Sequence, residues 1–372
     1  MYNWKMSISN EYTWIQEIIT MDEGKIDKIN LEGLERKENI YIGDLKVDRS
    51  LSNGLGSVKI YGNLRLENLD IGSGPKHQYN LRNLSFTPSF CSDSIDSYIG
   101  GDMYILNTKV VGDTTLQLNV KDNLEINKLD TKELSIHGEY WGDKDNFMKI
   151  GDTLKINYSN IKEDVSISGL KLGKNLELSD LSIGKNLVIY SSKIGGGIHL
   201  NNLDIKGEVR LTDFVYRKGI SLKDSKIKKN LAITTLMADP INLLGFEIKD
   251  PGVKNISSYI NFSGLQLGGK LIFEDVKLDG CSYEGFIPNG YNLVGTSKIP
   301  EMFKSYLDCW DYAKEIKTEI NKVKKDGKDV KKIVKEFPIV LDELKKGNPQ
   351  DINYATKELK TIENILNDFG GK

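Results

Sequence analysis

The sequence predicts a mainly β protein, a β-solenoid (β-helix) of short strands followed by a small α-helical module at the C-terminus. Three observations carry this. Between residues 150 and 236 an apolar residue recurs every eleven positions, at Ile150, Ile161, Leu172, Ile183, Ile194, Ile205, Tyr216 and Ile227. Four and six residues after each stand two more unbroken apolar columns, running from Leu154 to Leu231 and from Ile156 to Ile233. From Phe303 the spacing changes: Phe303, Leu307, Trp310, Ala313, Ile316, Ile320 and Val323 alternate three and four apart, the period of an amphipathic helix.

Eleven residues is also the repeat of a right-handed helical coiled coil, at about 3.67 residues per turn. On a helix, however, offsets 0, 4, 6 and 9 would fall at about 0°, 40°, 240° and 180° and leave no single stripe. As strands they pair naturally, since 4 and 6 share one face and 9 and 11 another. Offset nine is a looser column of Ser159, Leu170, Leu181, Ser192, Leu203, Phe214, Ser225 and Leu236. Each unit is then two short strands, and two units make a four-sided coil. A leucine-rich repeat is the rival, because two units fall within its length range. Its repeat pairs a strand half with a helical or irregular half, whereas both halves here carry the strand pattern.

The corners agree with strands. Offset three holds Asp164, Asn175, Asn186, Gly197, Gly219 and Asn230 beside Thr153 and Glu208, types expected to supply a left-handed backbone at tight corners. Gly151, Gly173, Gly184 and Gly195 at offset one are expected to add a second permissive position. Segments such as Leu172-Gly-Lys-Asn-Leu-Glu-Leu178 and Ile183-Gly-Lys-Asn-Leu-Val-Ile189 resemble the Ile-Gly-x-x-Leu-x-Leu repeats of bacterial-type β-solenoids. In repeat style they are loosely similar to bactofilins and pentapeptide-repeat proteins. The resemblance implies a scaffolding, polymerising or target-binding role and brings no catalytic residue with it.

Taken in order, residues 1–23 are expected to cap the first coil. Asn10 opens a helix to Met21 that carries Trp14, Ile15, Ile18 and Ile19 on one face. The solenoid is expected over 24–282, with insertions at 72–98, 137–149 and 237–255, the last punctuated by Asp239-Pro and Asp250-Pro. A Gly-rich linker, 283–297, leads to the helical module, 298–372. Its first helix ends near Gly327, and its second, through Val330, Ile333, Val334 and Phe337, is kinked or ended by Pro338. The third follows Gly347-Asn-Pro. Short helices are marginal alone, so this apolar stripe is expected to bury itself on the last coil or on another chain.

The search for chemistry is negative. His77, His137 and His199 show no metal spacing with one another or with Cys, and His199, between Ile198 and Leu200, is expected to face outward. Gly195-Gly-Gly precedes a strand and lacks a phosphate-loop context. Offset eight places Asp180, Asn202 and Asp224 on one corner and Asp213 on the opposite one. Such a column could hold an acid and a base or a cation, but ordinary corner residues flank it. No catalytic, metal or cofactor-binding residue is assigned, and the chain reads as more consistent with a non-enzyme. The candidate interaction surface is instead the aromatics of the insertions: Tyr79, Phe86, Phe90, Tyr140, Trp141 and Phe147.

Charge and cysteine content bound the rest. Lys plus Arg number 51 and Asp plus Glu 53, for a net charge of −2, so no phosphate-backbone footprint is present and no nucleic acid is expected as partner. Three scattered cysteines give no disulfide framework. No segment reads as a secretory leader or a transmembrane span, and a cytoplasmic location is expected. The expected function is a non-enzymatic scaffold, a rigid solenoid presenting loops for a protein partner or for self-assembly, with any small-molecule ligand open. The alternatives are a β-helical carbohydrate-active enzyme or carbohydrate-binding protein and, behind it, a DNA-mimic inhibitor.

Overall fold

Successive coils stack in parallel register: Leu154 lies beside Leu176, Leu176 beside Ile198, and Ile198 beside Ile220. Two eleven-residue units therefore make one coil. A computed structural model describes residues 12–13, 19–22, 25–31, 34–37, 39–52, 58–71, 83–86, 97–138, 147–216, 220–237, 259–263, 265–267, 270–274, 278, 280–288, 290–295 and 297–370. One coil is exemplified by the strands Leu154–Asn157, Asn160–Ile161, Val165–Ser168 and Leu170–Leu172, called here the first to fourth sides. Each corner takes the number of the side before it. Every residue of the three regular columns is at most 2% exposed, so the coil interior is apolar and, apart from Tyr216, aliphatic along these columns.

Polar residues in the wall answer to the ladder. Ser159, Ser192 and Ser225 replace leucine at offset nine and are buried. Each hydroxyl accepts a backbone N–H from the coil before, of Leu129, Leu170 and Leu203, at 3.0, 3.3 and 3.1 Å. Each also donates to a carbonyl two residues back, at Asn157, Tyr190 or Lys223. A buried hydroxyl is tolerated when so satisfied.

The left-handed backbone stands at offset eight, not at offset three. Tyr158, Asp180, Asn202 and Asp224 on the first corner have φ of 49°, 56°, 55° and 55°, as do Asp44, Asn68, Asn107 and Lys128 in earlier coils at 45° to 56°. The asparagines of offset three do different work. The Asn175 side-chain oxygen accepts the Gly197 N–H at 3.0 Å, Asp164 accepts that of Asn186 at 2.9 Å, and Asn186 accepts that of Glu208 at 3.0 Å. The second and fourth corners are thus pinned to the next coil by charge-assisted or amide hydrogen bonds. The offset-one glycines are required by close approach, not by a special φ. A Cβ on Gly173 would lie 1.7 Å from the Gly151 carbonyl oxygen, and one on Gly184 would lie 1.9 Å from that of Lys162.

The ends and the irregular parts depart from expectation. In place of the N-terminal helix there are strands, Tyr12–Thr13 beside Asn39–Ile40 and Ile19–Asp22 antiparallel to Lys25–Asn30. Asn10, Trp14, Ile15 and Ile18 lie outside the described residues. A strand satisfies the open hydrogen-bonding edge of the first coil, which a helix would leave unpaired. The ladder therefore begins inside the segment expected as a cap. Within the expected insertion 72–98, the strand Leu84–Phe86 keeps its place on the third side between Leu51 and Thr114. His137 closes the strand Leu134–His137, and Met148 opens Met148–Ile150. At the far end the expected linker carries the strand Tyr291–Val294, which extends the third side beyond Leu271–Glu274.

The helical module is α1 (Glu301–Lys325), α2 (Lys331–Lys345) and α3 (Pro349–Gly370). Asn348 caps α3 by accepting the Asp351 N–H at 3.0 Å. Pro338 does not end α2, since the helix runs through it. Its buried residues Ile333, Phe337, Val340 and Leu344 lie on both sides of the proline, and their burial offsets a cost of about 3 kcal/mol for the lost hydrogen bond. All seven residues of the α1 stripe are buried. The stripe starts on the last coil, where Phe303 stacks on Phe262 with ring centroids 5.4 Å apart and Tyr306 meets Tyr283 at 4.5 Å. The Tyr306 hydroxyl donates to the Phe286 carbonyl, and the Gly285 N–H reaches the Lys345 carbonyl at 2.8 Å. Among the described residues no helix is long and apolar enough to cross a membrane.

Candidate interaction surface

The third corner collects most of the chain's excursions. The described chain leaves the third side at Ser52, Phe86 and Gly138 and rejoins at Val58, Ser97 and Phe147, whereas regular coils cross this corner through Gly169 or Ser191, at φ of 59° and 48°. Phe90, Tyr140 and Trp141 belong to these excursions and Tyr79 to one that departs at the second corner after Ile71. All four lie outside the described residues. Phe86 offers no surface: it is fully buried, on the same inward row as Leu116, because the ring continues the apolar column. Phe147 is half-buried, and its ring carries the Lys193 ammonium at 4.6 Å from the centroid, a cation–π contact.

Register brings further residues to this corner that were not singled out in the sequence. Tyr190, 38% exposed, follows Ser168 and His137 in one outward row. On the fourth side Lys149, Lys171 and Lys193 stack in three consecutive coils. Strand spacing places their backbones about 4.8 Å apart along that row. The first and second sides differ. Lys46, Asp70, Lys109 and Asp130 alternate on the second side, and Glu125, Lys155 and Glu177 on the first. The signal was present in the sequence as lysines 22 residues apart, legible only once the coil length is fixed.

At the third corner the proton affinity of His137 is displaced. Burial lowers its pKa below the usual 6.5, opposed in part by a hydrogen bond with the Gly138 backbone. With the folded pKa depressed, the unfolded chain takes the proton first, so stability is lost as pH falls from about 6.5 toward the folded value. The expected result is that His137→Gln, which cannot take up this proton, loses less melting temperature than the parent between about pH 7.5 and 5.5. Equal losses in the two proteins would show that His137 stays protonatable in the fold.

Carboxylates meet at the second corner, where Glu133 and Glu163 share a side-chain hydrogen bond. Asn202 donates to Asp180 along the first corner, so that column is a hydrogen-bond ladder at left-handed positions. At the second corner burial is the main cause raising the Glu133 pKa, while Lys185, 3.0 Å away, holds that of Glu163 down. Lys132 faces Asp113 and Glu133 at 3.5 and 3.7 Å. Each of these acids answers a lysine, usually of a neighbouring coil, which is the pattern of a surface charge ladder worth little individually. His199 faces outward beside Glu177 and Ser221. Among the described residues no group of three or more His, Cys, Asp or Glu could hold a metal ion. Comparison with protein-family models, with curated proteins and with solved structures finds nothing that matches this chain.

Proposed function

We propose that the chain is a non-enzymatic scaffold, a rigid β-solenoid that presents its third corner and the loops leaving it to a protein partner with an acidic surface. The observation that carries this is the lysine row Lys149, Lys171 and Lys193 beside the aromatic corner of Phe147 and Tyr190. A rigid ladder fixes the spacing of these groups before contact, so little ordering entropy is lost on binding. Aromatic side chains anchor interfaces, and a cationic row beside them steers an acidic partner into place. The reading places the protein in the cytoplasm, where Cys281 and Cys309, both free, remain thiols. The resemblance to bactofilins implies polymerisation, yet α1 rests on the last coil, which favours binding through the flank.

Photo-crosslinking side chains placed singly at positions 147 and 190, with 180 and 202 on the diagonal corner as controls, test the reading in extracts of the source cells. A discrete adduct is expected from the third corner alone, weakening as salt screens the lysines. Labelling that is equal at both corners, or insensitive to salt, would count against an acidic partner there.

A further inference from the structure

We infer that the turn between α1 and α2, with the helix ends on either side of it, is a docking surface for a membrane of anionic phospholipid. This goes beyond the corner reading and is independent of it. The net charge of −2 conceals a local excess, since residues 322–335 hold seven lysines against two aspartates. The module is attached to the coils at its other end: α1 starts there with Phe303 and Tyr306, and the Lys345 carbonyl returns there to the Gly285 N–H. The turn therefore stands one helix length off, about 22 Å along the 15 residues of α2.

Folding does not account for all of these lysines. Lys322, Lys324 and Lys325 suit the last turn of α1, where the helix dipole favours a positive charge. Lys331 and Lys332 open α2, whose first turn holds no acid, and there the same dipole opposes them. They reach Asp329 and Glu336 only at 3.9 Å, with side chains 92% and 81% exposed, and pairs so exposed contribute little. Among the described residues Lys324, Lys325, Lys328 and Lys335 have no ion pair. An anionic surface brought to the turn relieves a repulsion that the folded chain otherwise keeps.

The arrangement selects among anions. Lys331, Val334, Lys335 and Pro338 follow one another at i, i+3, i+4 and i+7, so they share one flank of α2, and all four are exposed. Val334, 44% exposed, is an aliphatic side chain among cations, the composition of a helix that lies in the interface of an anionic bilayer. Clusters of about four to eight lysines on such a helix bind anionic headgroups. Nucleic acid is served less well. From residue 298 onward the chain contains no arginine, hence no planar fork for phosphodiesters or base edges. The single aromatic between 322 and 338, Phe337, is buried and offers no ring on which a base could stack.

The test is co-sedimentation of the full chain with two kinds of vesicle, phosphatidylcholine alone and phosphatidylcholine with phosphatidylserine at about two to one. The parent is expected to bind the second and not the first, and to be released as salt rises. Lys324→Gln, Lys325→Gln, Lys328→Gln and Lys335→Gln together are expected to weaken binding at least about a hundredfold, from about fivefold for each lysine, with melting no lower than the parent's. Val334→Ser is expected to lose about threefold. Gln at Lys226, Lys228, Lys229 and Lys270, four exposed lysines of the solenoid, changes the net charge equally and is expected to bind as the parent does. Equal losses in the two quadruple variants overturn the proposal, because net charge alone then governs. So does a parent indifferent to phosphatidylserine, or a turn variant of either kind that binds undiminished. A parent that holds single-stranded DNA more tightly than the vesicles at equal phosphate overturns it too, since the turn is then a nucleic-acid site. None of these outcomes bears on crosslinking at positions 147 and 190, so the two readings fail separately.

Discussion

Leu187→Asp is expected to unfold the regular tract, while Val188→Asp, one residue on, should leave melting within about 0.5 kcal/mol of the parent. Leu187 is fully buried between Val165 and Val209 on the third side. Replacing it forfeits about 1.5–3 kcal/mol of apolar burial. It also leaves a carboxyl with no partner in a dry coil, at about 2–7 kcal/mol more. The sum is comparable with the whole stability of an ordinary domain, about 5–15 kcal/mol. Because coils touch only their neighbours, the damage starts locally. Hydrogen-exchange protection should vanish first in Val165–Ser168 and in the part of Val209–Tyr216 that faces Leu187. Val188 points outward beside Ser166 and Arg210, where an aspartate finds water and a cation. Similar losses for the two variants would refute the inward assignment of the offset-four column.

How much of this was legible in the sequence follows from what each residue type can do. Ile, Leu and Val at offsets 0, 4 and 6 have one place to go in a four-sided coil, so the side count, the coil length and the buried rows could be read directly. Asn and Asp are ambiguous, since the same side chain tolerates a left-handed backbone and accepts an N–H from the next coil. The sequence therefore points to offset three for the left-handed role, whereas φ values at Tyr158 and Lys128, which have no intrinsic preference for that region, show the ladder imposing it at offset eight. Leu84-Ser-Phe86 was lost among excursions because three residues carry too little period to stand out. The N-terminal apolar residues fit a helix by spacing, but the unpaired edge of the first coil decides for strands. Of the candidate surface only Phe147 was legible and is described at the corner. Tyr190 and the lysine row depend on which residues stack across coils, and a linear reading of aromatics in insertions does not supply that.

The second large effect is expected at Gly173. Gly173→Ala should cost more than about 3 kcal/mol, against about 1–2 kcal/mol for Gly327→Ala. The two glycines are needed for different reasons. Gly327 follows α1 with φ of 78° and has open space around its Cβ position, so alanine there meets only the backbone penalty of the left-handed region. Gly173 has no such φ. Its added Cβ would lie 1.7 Å from the Gly151 oxygen and 2.8 Å from the Gly151 carbonyl carbon. That oxygen belongs to backbone and cannot swing aside as a side chain would. The coils must part by more than an ångström, on the order of the gap between 1.7 Å and van der Waals contact. Parting them stretches the bonds that set the spacing, from Gly173 N–H to the Ile150 carbonyl at 3.0 Å and from Lys174 N–H to the Asp152 carbonyl at 2.8 Å. Each such bond lost costs about 0.5–1.5 kcal/mol, on top of the steric overlap. Thermal melting of the two variants side by side measures the difference. A Gly173→Ala protein no less stable than Gly327→Ala would mean that the coils at this corner are farther apart than the ladder requires, and the glycine column would lose its explanation with them.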